Sequence, residues 1–325
     1  LDTQRSTQGY KPVATDNCFA PGAFTLAEPA TFCQGSYHRA NLSWTSSPNS
    51  TSYNLYRNRL NPNDTIAETS IFATTTSLSI TDFGFGNALN FDGYYDYVNV
   101  PNSPSLNPTT ITMEAWIYPT AFNSSDYIIN KRGPEQYILA LYGTTGQVQG
   151  YIYSNGWRYC ITPTSIAVKL NQWNHVVQTY DGTTGRVYVN GIQGCTYTFS
   201  GNINSGNSPL RIGGYYTNPT PLARLKGYID EVRIYGRALS SSEVSEHYNG
   251  SYNNETELRG LWHFDEGSGQ IVSDSSNYGN NGTLGASQAN ETADPDWIKN
   301  GLRGNTKYSW QARADGPGGN AFSNT

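Results

Sequence analysis

The stretch TITMEAWI, residues 110–117, alternates two kinds of side chain. In an extended chain Met113 and Ile117 point to one side, while Glu114 and Trp116 point to the other, because successive side chains of a β-strand lie on opposite faces. The pattern therefore predicts a β-strand.

Two further local patterns mark the ends of elements. The segment RVYVNG, residues 186–191, alternates in the same way and ends in Asn190-Gly191, which is typical of a two-residue hairpin turn. Downstream, Ser240 is followed after three residues by Glu243. A serine N-cap with an acidic residue at the third helical position predicts a short capped helix.

The composition favours an all-β protein. The chain has 325 residues, enough for two domains, and its 25 Tyr and 33 Gly accompany many polar turn residues. Only 14% of the residues are charged and the net charge is −5. The sequence has no basic patch of the kind that binds nucleic acid, so nucleic-acid binding is not expected. No apolar run approaches the roughly 18–20 residues that cross a membrane. No signal-peptide pattern occurs at Leu1, which leaves export open.

The four cysteines predict disulfides. Cys18, Cys33, Cys160 and Cys195 form no CxxC pair and have no histidine at zinc spacing. We favour the pairs Cys18–Cys33 and Cys160–Cys195, which imply an oxidising, extracellular or cell-surface location. Free buried thiols are the alternative.

Eight Asn-x-Ser/Thr sequons occur, at Asn41, Asn49, Asn63, Asn123, Asn249, Asn254, Asn281 and Asn290. Chance alone gives roughly six in a chain this rich in Asn, Ser and Thr, so N-glycosylation stays open.

Strand patterns near the two ends of the chain resemble one domain. Leu42 and Trp44 alternate, as do the residues of YNLYR, 53–57, and a later strand ends at Thr81. These few strands cannot close a core, and further strands appear only in TKYSWQARA, 306–314. Joined, 29–82 and 304–325 resemble a fibronectin type III domain, and the resemblance places Tyr308 at the corner of that fold. Residues 1–28 are then an extended N-terminal arm.

The intervening residues, 83–303, resemble a laminin-G-like jelly roll of the concanavalin A type. The segments that carry the resemblance are ALNFDG (88–93), YVNVP (97–101), TITMEAWI (110–117), QWNHVV (172–177), YDGTTGRVYVNG (180–191), LRIGG (210–214) and GYIDEVRIYGRAL (227–239). The chain is therefore expected to be all-β, with a concanavalin A-like jelly-roll sandwich inserted in an immunoglobulin-like (fibronectin type III) β-sandwich.

One segment stands in an unusual place. In this family a strand like GLWHFDEGSG, followed by a DSSNYGNNGT-like stretch, usually precedes ALNFDG, whereas here it occupies 258–284 and follows the predicted helix. The resemblance therefore implies a circular permutation, spliced at neighbouring ends. Alternatively, the strand at 258–264, or the arm 1–28, leaves its domain and completes the sheet of a neighbouring copy.

The acidic residues do not form the catalytic pair of a glycosidase, but the family resemblance implies a bound calcium ion. Glycosidases of this superfamily need two carboxylates beside a cleft, and no ExDxxE run occurs. The resemblance places a structural calcium between the first and last strands, with Asp230, Asp265 and Glu266 as ligands. Alternatively, Asp265 only caps a turn and Asp230 only pairs with Arg233 or Arg237.

Six aromatic residues are candidates for a sugar site, since rings and amides at loop ends bind sugars in jelly rolls. They are Tyr94, Tyr95, Trp157, Tyr159, Tyr215 and Tyr216, all assigned to loops. Loop packing or a protein interface explains them equally well.

The function that we expect is non-catalytic adhesion or binding outside the cell, with glycans or surface proteins as partners. The alternative is a structural subunit of a filament, pilus or surface layer, in which copies of the chain polymerise by strand exchange.

Overall fold

The computed structural model describes residues 44–46, 87–123, 125–214, 224–286 and 294–298 with their side chains, and further strands by their backbone only. In chain order the strands are β1 (Ala30–Gln34), β2 (Tyr37–Ser43), β3 (Ser52–Leu60), β4 (Ile71–Thr75), β5 (Ser79–Asp82), β6 (Asn87–Asp92), β7 (Val98–Val100), β8 (Ile111–Ala121), β9 (Ser125–Lys131), β10 (Tyr137–Tyr142), β11 (Gln147–Tyr153), β12 (Trp157–Ile161), β13 (Asn174–Tyr180), β14 (Thr184–Val189), β15 (Ile192–Thr198), β16 (Leu210–Ile212), β17 (Tyr215–Thr217), β18 (Thr220–Leu222), β19 (Lys226–Tyr235), β20 (Leu258–Trp262), β21 (Ile271–Val272), β22 (Gly282–Leu284), β23 (Asp296–Lys299), β24 (Lys307–Gly316) and β25 (Gly319–Phe322). A 3-10 helix spans Pro104–Leu106, and helix α1 spans Ser241–Tyr248.

The chain forms two compact units. The terminal unit comprises Leu1–Phe85 and Gly301–Thr325, and the central unit comprises Gly86–Asn300. In the terminal unit, β1, β2 and β5 form one sheet, while β25, β24, β3 and β4 form another. Strands from the two ends of the chain thus pair directly, and Trp44 is buried. The fibronectin type III assignment stays a prediction, as do the domain boundaries.

Two antiparallel sheets build the central unit. Sheet I has the order β15-β14-β13-β8-β19-β6-β23, with β20 also paired to β19. Sheet II has the order β12-β11-β10-β9-β16-β7-β22-β21. Alternate side chains of both sheets meet in one apolar core, which includes Met113 and Ile117 of sheet I and Leu139 and Val148 of sheet II. The alternation read from residues 110–117 is therefore confirmed.

The structure contains both the predicted hairpin turn and the predicted helix cap. Asn190 and Gly191 both have positive φ, 52° and 78°, which is the conformation of the expected hairpin turn. Ser240 and Glu243 form a reciprocal capping box at the start of α1.

The outer face of sheet I is covered by helix α1. Val177, Tyr188 and Tyr235 point away from the main core and form a second apolar cluster with Leu239 and Val244. Across the described ranges, no helix is long and apolar enough to cross a membrane.

The displaced segment contributes to both sheets of its own unit. β20 pairs with β19, with Trp262 opposite Val232, and β22 pairs with β7, with Leu284 opposite Val98. Trp262 is fully buried in the main core. The circular permutation itself stays a prediction.

Candidate functional site

Four aromatic residues share one face of the β11–β12 hairpin. Tyr151 and Tyr153 alternate along β11, and Trp157 and Tyr159 alternate along β12. The register sets Tyr151 opposite Tyr159 and Tyr153 opposite Trp157. Because Val148 of β11 points into the core, these rings lie on the outer face of sheet II.

The rings touch one another in edge-on and tilted arrangements. Tyr151 lies 5.6 Å from Trp157 and 5.0 Å from Tyr159 between ring centroids, and Tyr153 lies 5.2 Å from Trp157. Interplanar angles of 74° and 78° make the two contacts with Trp157 edge-to-face. Such packing holds the rings in fixed orientations before any ligand arrives.

An arginine completes the aromatic face, which we define as the outer surface of β9–β12. The Arg132 guanidinium carbon lies 5.6 Å from the centroid of Trp157 and 5.8 Å from that of Tyr127. Arg132 Nη1 donates to Tyr127 Oη at 2.7 Å. A bulge in the β9–β10 pairing allows Ile128 and Ile129 both to enter the core while Tyr127 stays outside.

A cavity of about 400 Å³ opens to solvent on the aromatic face. The residues that line it are Tyr127, Arg132, Ile138, Tyr142, Gln149, Tyr151, Trp157, Tyr159 and Ile161. Tyr142 and Tyr159 stand 45% and 51% exposed at its rim, whereas Gln149 is buried. Burial, with the neighbouring Tyr127, raises the pKa of Tyr151 to about 12, so its hydroxyl stays a neutral hydrogen-bonding group.

A disulfide holds the edge strand of this face. Cys160 of β12 is bonded to Cys195 of β15, which joins the edges of sheets II and I. This confirms one of the two predicted pairs. Cys18 lies outside the described residues and the Cys33 side chain is not described, so the other pair stays a prediction.

The six aromatic candidates separate into two groups. Trp157 and Tyr159 lie together on the aromatic face, on a strand and not in loops as expected. Tyr94 and Tyr95 are 60% and 44% exposed in the loop before β7, five strands away from β12 in sheet II.

Tyr215 and Tyr216 lie on strand β17, again not in a loop, and their side chains fall outside the described residues. β17 starts beside the loop that carries Tyr94, since a Cβ at Gly214 would approach the carbonyl oxygen of Asp96 to 2.8 Å. This end of the sandwich is separate from the aromatic face.

Sequence reasoning missed Tyr127, Arg132, Tyr142 and Tyr151. A signal for Tyr151 was present, because Tyr151 and Tyr153 precede Ser-Asn-Gly and Trp157 and Tyr159 follow it, as in a hairpin with aromatic residues on one face. Nothing in the sequence near Tyr127 or Arg132 indicates that they meet this hairpin, since strand order brings them there.

The three predicted calcium ligands lie at the β19–β20 end of sheet I. Asp230 is buried, and its Oδ1 accepts from the Glu231 amide at 2.8 Å, whereas Oδ2 has no hydrogen-bond partner among the described residues. Burial, with the nearby charges of Glu231 and Asp265, raises the Asp230 pKa well above its usual range. Asp265 accepts from the Asn87 amide at 2.8 Å, and Glu266 from the Ser273 amide at 2.6 Å.

These contacts bear on the alternatives for the acidic residues. Asp265 bonds to the start of β6, and Arg237 pairs with Glu243 at 2.8 Å. In the part of the chain that the structure describes, no group of three or more His, Cys, Asp or Glu side chains could hold a metal ion. A cation at Asp230 would therefore need backbone carbonyl ligands as well.

Four of the sequon asparagines have described side chains. The side-chain nitrogens of Asn123, Asn249 and Asn254 donate to Asp126, to the Ser245 carbonyl and to Glu243 respectively. Asn281 is exposed, and its side-chain oxygen accepts from the Asp274 amide. Asn41, Asn49, Asn63 and Asn290 lie where no side chain is described.

A charged cluster lies on the other outer face, beneath α1. We define it as Glu114, His175, Glu231, Arg233 and His247, all of them buried. Glu114 Oε2 lies 2.9 Å from His247 Nδ1 and 3.6 Å from His175 Nε2, and Arg233 Nη2 donates to Glu231 at 2.8 Å. Burial would raise the Glu114 pKa, but the charge of His247, its hydrogen bond and the neighbouring His175 hold that pKa well below its usual range.

The charged cluster is closed to substrates. Its members are at most 2% exposed, and Tyr252 stacks on Arg233, with 3.8 Å from the guanidinium carbon to the ring centroid. A glycosidase carboxylate has to reach the scissile bond, which Glu114 does not.

Comparisons with known proteins support the fold. A family model of the concanavalin A-like lectin/glucanase superfamily, Laminin_G_3, matches residues 92–245. A proposed carbohydrate-binding protein of Bacteroides ovatus is similar at 17% identity and a TM-score of 0.54, over 82% of this chain and 72% of its own. The fold class predicted from the sequence is thus confirmed: the chain is all-β, and its central unit is a concanavalin A-like jelly-roll sandwich.

Two further solved structures are similar at lower scores. The heptameric SAP-like pentraxin of Limulus polyphemus has 18% identity and a TM-score of 0.44, over 62% of this chain and 96% of that one. The CBM40 module of the Ruminococcus gnavus IT-sialidase, bound to α2,3-sialyllactose, has 15% identity and a TM-score of 0.42, over 51% and 99%. None of the curated proteins matches the sequence.

Proposed function

We propose that this chain is an extracellular, non-catalytic adhesion or binding protein that holds glycans on its aromatic face. The observation that carries the proposal is the cavity of about 400 Å³ walled by Tyr151, Trp157 and Tyr159 beside Arg132. Its volume falls within the range of small-ligand sites, and its lining combines ring faces with a few polar groups.

The lining suits a sugar better than a wholly apolar ligand. Ring faces pack against the C–H face of a pyranose, while hydroxyl groups of Tyr142 and Tyr159 at the rim and the amide of Gln149 offer hydrogen bonds to its hydroxyls. The B. ovatus protein, itself a proposed carbohydrate-binding protein, shares the fold and agrees with this role. The Cys160–Cys195 disulfide supports a location outside the cytosol.

The test is binding of the purified chain to an array of oligosaccharides, followed by titration calorimetry with each ligand found. Trp157→Ala should weaken binding roughly five- to thirtyfold, because a lost ring contact of about 1–2 kcal/mol corresponds to that range. Tyr278→Ala is the matched control, since Tyr278 is 46% exposed, stacks on Arg259 and lies in the loop between β21 and β22.

Equal losses in the two variants, or an array on which nothing binds, would overturn the proposal. Tyr94→Ala tests the other group of candidate residues. A loss of binding in that variant, with Trp157→Ala unchanged, would move the site to the loop before β7.

The strand-exchange alternative has less support. β20 pairs with β19 of its own unit and Trp262 is fully buried there, so this strand is already used within the chain. The arm 1–28 lies outside the described residues. A purified chain that sediments as a monomer would agree with the binding role, whereas ordered filaments in electron micrographs would favour the structural one.

We also propose a structural calcium ion at the β19–β20 end of sheet I. The buried Oδ2 of Asp230, which has no described partner and lies near the charges of Glu231 and Asp265, fits a cation site. Asp230 and Asp265 would hold the ion together with carbonyl oxygens, while Glu266 already accepts from the Ser273 amide through Oε1.

Thermal unfolding in calcium and in EDTA tests this site. Calcium should raise the Tm of the wild type because it binds the folded state only, and it should have no effect on Asp230→Asn. Asp181→Asn, in a turn of sheet I, is the control and should keep the response. An identical wild-type Tm in calcium and EDTA would exclude the ion.

A further inference from the structure

A second cavity lies beside the aromatic face. It measures about 670 Å³ and is walled by polar loops, with Asn102, Asn107, Pro134, Ser205, Gly206 and Asn207 among its lining residues. We call it the amide pocket. Asn102, Ser205 and Asn207 are exposed at its mouth.

A lysine ammonium lies beneath the amide pocket. Lys131 is fully buried, and its Nζ donates to Asn102 Oδ1 at 2.7 Å, to Gln136 Oε1 at 2.6 Å and to Asn107 Oδ1 at 3.1 Å, with the Gly206 carbonyl at 3.3 Å. All four acceptors are neutral. Three of the residues that hold the ammonium also line the pocket.

The cationic charge of Lys131 is therefore not balanced by a carboxylate among these partners. Burial lowers the Lys131 pKa to about 8, so at neutral pH the side chain is still mostly protonated. A buried cation surrounded only by neutral oxygens leaves a positive potential in the space next to it, since amide dipoles solvate a charge without cancelling it.

The same turn connects the amide pocket to the aromatic face. Arg132 lines the aromatic cavity and Pro134, two residues on, lines the amide pocket. The Tyr153 amide donates to the Gln136 carbonyl at 2.7 Å, and the Asn204 amide donates to the Tyr153 carbonyl at 2.9 Å. The two cavities thus flank the 132–136 segment, and each has one cation of the pair Lys131–Arg132 in its wall or floor.

Three exposed side chains that carry hydrogen-bond donors line the mouth of the amide pocket: Asn102, Ser205 and Asn207. The nearest acidic side chain in this segment, Glu135, is turned to Arg132, with 3.8 Å between Oε1 and Nη2. Donors above a buried cation form an environment that favours an anion.

We propose that the amide pocket is a second subsite, which takes the carboxylate or sulfate of an acidic oligosaccharide whose neighbouring sugar packs on the aromatic face. This inference rests on the proposed glycan binding and narrows it to acidic glycans. The 132–136 turn then separates the stacking subsite on the aromatic face from the anion subsite in the amide pocket.

The experiment uses the whole chain and an array that carries uronate-containing, sialylated and sulfated oligosaccharides, each beside its methyl-esterified or desulfated counterpart. The charged form should bind at least tenfold more tightly than its neutral counterpart, and added salt should reduce the difference by screening. Asn207→Asp places a negative charge at the mouth of the pocket and should abolish the preference for the charged form over its neutral counterpart.

Asn277→Asp is the matched control, because it adds the same charge at another exposed asparagine, in the loop between β21 and β22. It should keep the preference for the charged ligands. Equal binding of charged and neutral forms, with Trp157→Ala still reducing both, would overturn the anion subsite and leave the glycan function intact. Failure of every glycan to bind would overturn both proposals.

Discussion

The two outer faces of the jelly-roll sandwich have opposite characters. Sheet I carries its buried charges under helix α1, where Glu114 accepts from His247 at 2.9 Å and lies 3.7 Å from Arg233. Sheet II carries half-exposed rings at β11 and β12, with a cavity between them. On the covered face the charged side chains pair within the protein, whereas on the open face the aromatic rings remain in contact with water.

This difference between the two faces indicates that the ligand binds on the open face of sheet II. Half-exposed aromatic residues forgo part of the stabilisation that full burial would bring, so they are available to a ligand. Buried ion pairs contribute little net stability, but a charge left without its partner is costly. Substitutions on the covered face should therefore change folding, and substitutions on the open face should change binding.

The largest expected effect is on the covered face. Glu114→Ala removes the buried carboxylate that accepts from His247, and should lower the free energy of unfolding by about 3–5 kcal/mol, since it breaks a buried ion pair while Arg233 keeps Glu231. Glu135→Ala, on the open side, should cost less than about 1 kcal/mol because its ion pair is solvated. Urea denaturation measures both, and similar losses in the two variants would contradict the comparison.

The next effect concerns the link between the two sheets. Replacing Cys160 and Cys195 by serine releases a loop of 35 residues and should lower the free energy of unfolding by about 2–4 kcal/mol. Because β12 is the edge strand, glycan affinity should fall as well, which calorimetry checks at a temperature where the variant is folded. Full glycan affinity in the folded variant would show that strand β12 keeps its conformation without the disulfide.

The pH dependence of stability should differ in sign between the sheets. Burial raises the pKa of Asp96, in the loop before β7, from 3.8 to about 7, so the folded state keeps a proton that the unfolded chain loses. This group therefore reduces stability as pH rises from about 4 to 7. Asp96→Asn should leave Tm unchanged at pH 4 and stabilise the chain by about 1–2 kcal/mol at pH 8.

Asp181, in the β13–β14 turn of sheet I, is the control with the opposite sign. Partial burial opposes ionisation, but hydrogen bonds from Thr183 and Thr184 outweigh it and lower the Asp181 pKa to about 2. Its contribution is present above pH 4 and is lost as pH falls towards 2. Asp181→Asn should thus be destabilised at neutral pH, and a stabilised Asp181→Asn or a destabilised Asp96→Asn would show that the signs are wrong.

The smallest expected effect is the stability of an open-face variant. Tyr159→Ala should lower the free energy of unfolding by about 1 kcal/mol or less, because the side chain is 51% exposed and loses only its contact with Tyr151. Tyr188→Ala, on the covered face and 2% exposed, should cost about 3–5 kcal/mol. Thermal and chemical unfolding of the pair tests whether the two faces divide stability from binding as described.

Local patterns predicted those features that depend on neighbours in the chain. Asn190-Gly191 specifies its turn by backbone conformation, and Ser240 with Glu243 caps α1 by hydrogen bonds three residues apart. The same alternation that placed Met113 in the core left Trp157 and Tyr159 misread as loop residues. Their strand is short, half-exposed and preceded by a glycine, so it lacks the apolar side that marks a core strand.

Asp230 and Glu231 show a second limit. As neighbours on a strand they are expected to face opposite ways, but the β8–β19 register shifts between Asp230 and Arg233, and Glu231 has a φ of 54°. The bulge buries both carboxylates near each other. No local sequence pattern predicts this bulge, because the bulge follows from the pairing of β19 with β8.

The sequence by itself predicted an all-β chain with a concanavalin A-like jelly roll, since periodicity, turn residues and family motifs are all local or colinear. It favoured the Cys160–Cys195 link, which the tertiary structure confirmed. Only the tertiary structure decided which face is covered, where Tyr127 and Arg132 meet Trp157, and that Lys131 lies beneath a cavity. Those arrangements join residues from strands that pair through sheet order, and backbone hydrogen bonds between distant strands depend on the whole sandwich, which no single stretch encodes.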